Sequence, residues 1–84
     1  MDSNINISGE VKFVLENIKS TRVSLGMSQD TVAKHLLISQ NAYSRIERGA
    51  GRMRVEQFFV LCQLFNADPC DLLTIPRIKQ FVAS

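Results

Sequence analysis

The sequence predicts an all-α domain of five helices with room for a short sixth at the C-terminus. Three observations predict it. Apolar residues recur at threes and fours along most of the chain, glycine, asparagine or proline closes the periodic segments, and no stretch alternates convincingly with the period of two that a strand requires.

Residues 1–8 are polar and aperiodic and read as an N-terminal arm. Ser8 is placed to cap a first helix from about Gly9 to Leu25, because its hydroxyl can accept an orphan amide of the first turn. Val11, Val14, Leu15, Ile18, Arg22 and Leu25 fall on one stripe of that helix, apolar except for Arg22. Gly26 supplies the left-handed stop. Ser28 then caps a second helix carrying Gln29 and Asp30 in its first turn and Val32, Ala33 and Leu36 inward. Only Leu37 and Ile38 separate it from Ser39, the cap of a third helix that runs through Arg48 and stops at Gly49. Two short helices across a tight turn, with the small Ala33 where they approach, occupy the length of a helix-turn-helix.

Residues 49–54 form a basic loop containing two glycines. A fourth helix follows from Val55 to Phe65, with Val55, Phe58, Leu61, Cys62 and Phe65 expected on its core face. Asp68 caps a short fifth helix that begins at Pro69 and ends at Leu73. Pro76 can open a sixth carrying Ile78, Phe81 and Val82. The expected organisation is an arm at 1–8, a domain at 9–74 and a tail at 75–84.

Eighty-four residues accommodate one core, and 45% hydrophobic with 21% charged residues is globular composition. The longest apolar run, Phe58 to Cys62, is five residues against the roughly 20 a membrane span needs. The N-terminus has neither the basic start nor the apolar stretch of an export signal, so a cytoplasmic location without membrane association is the expectation. Cys62 and Cys70 are eight apart and His35 lies 27 residues upstream, which is no metal-ligand spacing. Reduced, packing cysteines, no cofactor and no metal are expected. No acid, base and nucleophile set can be assembled, so the chain is not expected to be an enzyme.

The net charge of +2 conceals a segregation. Residues 34–54 carry Lys34, Arg45, Arg48, Arg52 and Arg54 against Glu47 alone, a net of +4, while the other 63 residues sum to −2. Such a block suits a polyanion, although a solvated face is the commoner reading until the structure carrying it is known.

The ordered series Arg22-Val23-Ser24-Leu25-Gly26-Met27-Ser28-Gln29, Val32-Ala33, Ile38-Ser39-Gln40 and Tyr43-Ser44-Arg45-Ile46-Glu47-Arg48-Gly49 resembles the phage-repressor and Cro-like helix-turn-helix family, also called the XRE family. Phe58, Leu61, Cys62, Phe65 and Leu72-Leu73 fall on that family's core positions, extending the resemblance over about residues 14–73. It implies a lambda-repressor-like bundle of about five helices whose second and third form the DNA-binding pair. It implies that Gln29 anchors to a backbone phosphate and braces the recognition helix, and that Gln40, Asn41, Ser44 and Arg45 read base edges. The side-chain chemistry fits: Gln and Asn offer a donor and an acceptor to adenine, and Arg offers two donors to guanine. Lys34, Ser39, Arg48, Arg52 and Arg54 are the further expected phosphate contacts. Arg22 and Glu47 occupy positions that commonly form an ion pair between the first and third helices, which would explain the charge in the first helix's stripe.

Two departures stand out. The family often has glycine where this chain has Leu37, and keeping left-handed geometry there would cost about 1–2 kcal/mol. On the fourth helix, 100° per residue turns Val60 and Leu64 away from the core face, with Phe59 at its edge. That surplus apolar surface is covered either by the tail's Ile78, Phe81 and Val82 within one chain or by a second subunit. The second is favoured, which makes Phe59, Val60, Leu64, Ile78 and Phe81 the expected dimer interface.

The function implied is that of a transcriptional regulator, a repressor or autoregulator, binding a double-stranded DNA operator as a homodimer, with half-sites about one helical turn (roughly 34 Å) apart. The alternative is an antitoxin or other interaction module whose fourth-helix apolar face binds a partner protein.

Overall fold

A computed structural model describes residues 9–74, so the Ser8 cap and the tail residues Ile78, Phe81 and Val82 lie outside the described residues. Five α-helices occupy this span: α1 (Gly9–Ser24), α2 (Gln29–Leu36), α3 (Gln40–Glu47), α4 (Val55–Phe65) and α5 (Pro69–Leu73). Among the described residues there is no strand.

The starts of α2 to α5 and the ends of α1 to α4 have local causes. The Ser28 and Ser39 hydroxyls each accept the amide three residues on, at 3.0 Å from Thr31 and Ala42. Asp68 caps α5 through the Cys70 amide, with Pro69 in the first turn. At the head of α4 the Gln57 side chain accepts the Arg54 amide at 2.8 Å. The first four helices end alike, in paired reverse hydrogen bonds that close over a left-handed or glycine residue: Gly26, Leu37, Gly49 and Asn66. Gly26 and Gly49 adopt φ of 72° and 84° without a steric penalty. Leu37 adopts φ 60° and ψ 38° with a full side chain. The turn therefore keeps left-handed geometry despite the missing glycine.

The core is built from Leu15, Ile18, Val32, Ala33, Leu36, Tyr43, Ile46, Leu61, Cys62, Phe65 and Leu72. α2 packs on α3 and α4, while α1 packs on α3 and α5. The Asn17 amide fixes the last contact, donating to the carbonyls of Leu72 and Thr74 at 2.9 Å each.

Three expected core positions are instead exposed. Val55 is 71% exposed, and Leu25 and Val11 also face solvent. Val55 is the first residue of α4, Leu25 lies in the turn after α1 has ended, and Val11 sits in the first turns of α1. Val60 and Leu64, expected to turn away from the core, are half-buried against it. Phe59 is the exposed member of that face at 51%, its ring edge-on to Phe58 with centroids 5.7 Å apart.

Candidate nucleic-acid interface

α3 separates its residues by chemistry. Tyr43, Ile46 and Glu47 are buried, whereas Gln40, Asn41 and Arg45 are exposed and Ser44 is half-exposed beside them. The four residues expected to read bases thus share one outward face.

A charged network holds that face in place. The Arg22 guanidinium donates from Nε and Nη2 to the two oxygens of Glu47, at 2.8 and 3.0 Å. Nη1 donates to the Met27 carbonyl at 2.8 Å, which ties the α1–α2 turn to the same cation. Glu47 also accepts from the Tyr43 hydroxyl at 2.6 Å and from the Gln29 amide at 3.0 Å. Four donors saturate the carboxylate, and among the described residues no buried side-chain polar atom lacks a partner. The side chains of Arg22 and Glu47 are 10% and 2% exposed, so the pair is nearly dry.

The ionisation of these groups follows from the geometry. Burial pushes the Glu47 carboxyl upward, but the hydrogen bonds from Arg22, Tyr43 and Gln29 outweigh it and hold the group below its ordinary value. The Glu47 hydrogen bond raises Arg22 further, and burial together with Glu47 raises the Tyr43 hydroxyl. All three keep their charge states at neutral pH. Burial also pushes the Cys62 thiol up. Cys62 and Cys70 are free thiols, and among the described residues no cluster of three or more His, Cys, Asp and Glu is placed to hold a metal.

The expected phosphate contacts divide. Gln29 braces α3 through Glu47 and lines a groove between α1 and α3 together with Ser44 and Arg48. Arg52 and Arg45 line a second groove on the other flank of α3. Lys34 lies apart from both grooves and pairs with Asp30 one turn back at 3.1 Å, with both groups exposed. Arg54 lies 4.0 Å from Glu56 at the head of α4, and the Ser39 oxygen is engaged as the α3 cap. Sequence reasoning missed Lys12 and Lys19, which line the first groove from α1. Their spacing of seven, two helical turns, was the available signal. It also missed the link from Tyr43 to Glu47, although i,i+4 spacing brings those side chains together.

The profile of the helix-turn-helix family matches residues 18–72. The chain belongs to that family. Antitoxin PezA of Streptococcus pneumoniae is 34% identical over 58 residues, a match covering 69% of this chain and 37% of PezA. This chain therefore spans little more than a third of that relative. A hypothetical transcription factor, NHTF, from Neisseria shares the fold with a TM-score of 0.70 at 20% identity, over 94% of each chain. In this helix-turn-helix protein α2 and α3 are the paired helices, and the Arg22–Glu47 clamp fastens the second of them to α1. No helix among the described residues is long and apolar enough to cross a membrane.

Proposed function

We propose that this helix-turn-helix protein is a sequence-specific DNA-binding transcriptional regulator, a repressor or autoregulator, that binds a two-fold operator as a homodimer with α3 in the major groove. One observation carries the reading: Gln40, Asn41, Ser44 and Arg45 share the outward face of a helix whose buried side is locked through Glu47. A groove-inserted helix must present base-competent side chains without swivelling, and a saturated buried carboxylate at the C-terminal end of the same helix resists the swivel. Arg48 and Arg52 flank the face as phosphate contacts, joined by Lys34, Ser39, Arg54 and Gln29. The second N–H of the Gln29 amide remains for a phosphate oxygen. The dimer is assigned to the surface around Phe59, Val60 and Leu64 with Ile78 and Phe81, and the protein acts in the cytoplasm without a cofactor.

The likeness to an antitoxin supports a second reading, in which the same α4 surface binds a partner protein and DNA binding is secondary. Size-exclusion chromatography with light scattering, run with and without duplex DNA, distinguishes the two. A homodimer that shifts onto DNA supports the first reading. A protein that is monomeric, ignores duplex DNA and co-purifies with an unrelated chain supports the second.

A further inference from the structure

On the reading that α3 enters the major groove of DNA, we propose that Lys12 and Lys19 of α1, together with Arg48, form a second phosphate-binding row that holds one DNA strand while the Arg52 side of α3 holds the other.

α3 is flanked by two grooves. On the α1 side a groove of about 470 Å³ is lined by Lys12, Lys19 and Arg48, with Ser44 and Gln29 where it meets the base-reading face. On the opposite side a groove of about 320 Å³ is lined by Arg45 and Arg52. Ser44 and Arg48 are four apart and share one flank of α3, whereas Ala42, Arg45 and Ile46 turn to the other. A helix with its side chains is about 10–12 Å across and the major groove is about 12 Å wide. A seated α3 therefore has a sugar–phosphate backbone along each flank, and each flank here is cationic.

The charge of the α1 groove is available to a ligand. Among the described residues the ion pairs are Arg22–Glu47, Lys34–Asp30 and Arg54–Glu56, so Lys12, Lys19 and Arg48 are committed to none. Glu47 lines the groove too, but Arg22 neutralises it, which leaves Glu16 as the one opposing charge against three cations. Ser44 and Gln29 belong both to this groove and to the surface facing DNA, so a strand held here is continuous with the bases being read.

The test uses the whole chain, a duplex selected by the wild-type protein from a randomised pool, and an unrelated duplex of equal length. Association constants are measured against salt concentration for wild type and for Lys12→Gln/Lys19→Gln, both exposed helix positions where glutamine is well tolerated. With an unchanged melting temperature, the double variant should weaken binding to both duplexes, flatten the log–log salt slope by about 1.8 per protomer, and select the same consensus. Glu16→Gln should tighten binding to both. An unchanged slope in the double variant, with wild-type binding intact, overturns the groove assignment alone and leaves the groove to another anion, such as an acidic protein segment. Absence of salt-dependent duplex binding by wild type overturns the functional reading, and this proposal with it.

Discussion

Arg22 and Glu47 meet through two parallel hydrogen bonds, 2.8 and 3.0 Å long, across 25 positions of sequence, and by this contact α1 holds the register of α3. Removing one member strands the other. Glu47→Ala should cost about 3–5 kcal/mol of stability, well beyond a surface change. The replacement Arg22→Met with Glu47→Leu should be far milder than the sum of the single changes. A double-mutant cycle by urea denaturation reads the coupling, and two small independent effects would show that the groups are solvated instead.

Acid should weaken the same clamp. Glu47 is held below its ordinary value of 4.5, so the unfolded chain takes up this proton first as pH falls. The contribution is complete above that value and is lost as pH drops from it through the lower, folded value. Thermal melts of wild type and Glu47→Gln should therefore converge as the pH is lowered through this window, with wild type the more stable at neutral pH. A gap that is constant down to the acid limit would contradict the assignment.

Leu37→Gly should raise stability. Leu37 is 91% exposed and its backbone is left-handed, so glycine removes about 1–2 kcal/mol of steric cost with little packing lost. Glycine's greater freedom in the unfolded chain offsets about 0.5–1 kcal/mol of that gain. The net rise should be about 0–1.5 kcal/mol by denaturant titration, and a loss would mean that the side chain supports the turn.

Phe59→Glu should give a folded monomer with much weaker operator affinity. Phe59 is a cleaner probe than Leu64, which packs partly against the subunit's own core, so that a charge there would damage folding as well as association. Sedimentation of the variant gives its assembly state, and a dimer with intact affinity would exclude this surface as the interface.

Helix order and the Ser28, Ser39 and Asp68 caps were legible in the sequence, because each is written in a few residues at fixed spacing. The Arg22–Glu47 pair and the missing glycine at Leu37 were visible only through the family resemblance, which left the geometry of that turn open. The exposure of Val55 and Leu25 was not legible. Periodicity gives an angle about the helix axis, but it does not say where along that axis the neighbouring helix ends. Lys12 and Lys19 escaped for a related reason. Their charges lie outside the basic block at 34–54, and only the packing of α1 against α3 brings them beside Ser44 and Arg48. The set proposed to read bases was named through the family resemblance, whereas the donation of Gln29 to Glu47 required the three-dimensional arrangement.

Binding-site selection from a randomised duplex pool, run in parallel on wild type and on Asn41→Ala and Arg45→Ala, tests the central claim most directly. Wild type should enrich a two-fold symmetric consensus with half-sites about 34 Å apart. Each substitution should cost about 1–3 kcal/mol per half-site and relax the choice at particular base pairs while the rest of the consensus survives. No enrichment by wild type, or the same consensus from all three proteins, would contradict the assignment of the outward face of α3 as the surface that reads DNA.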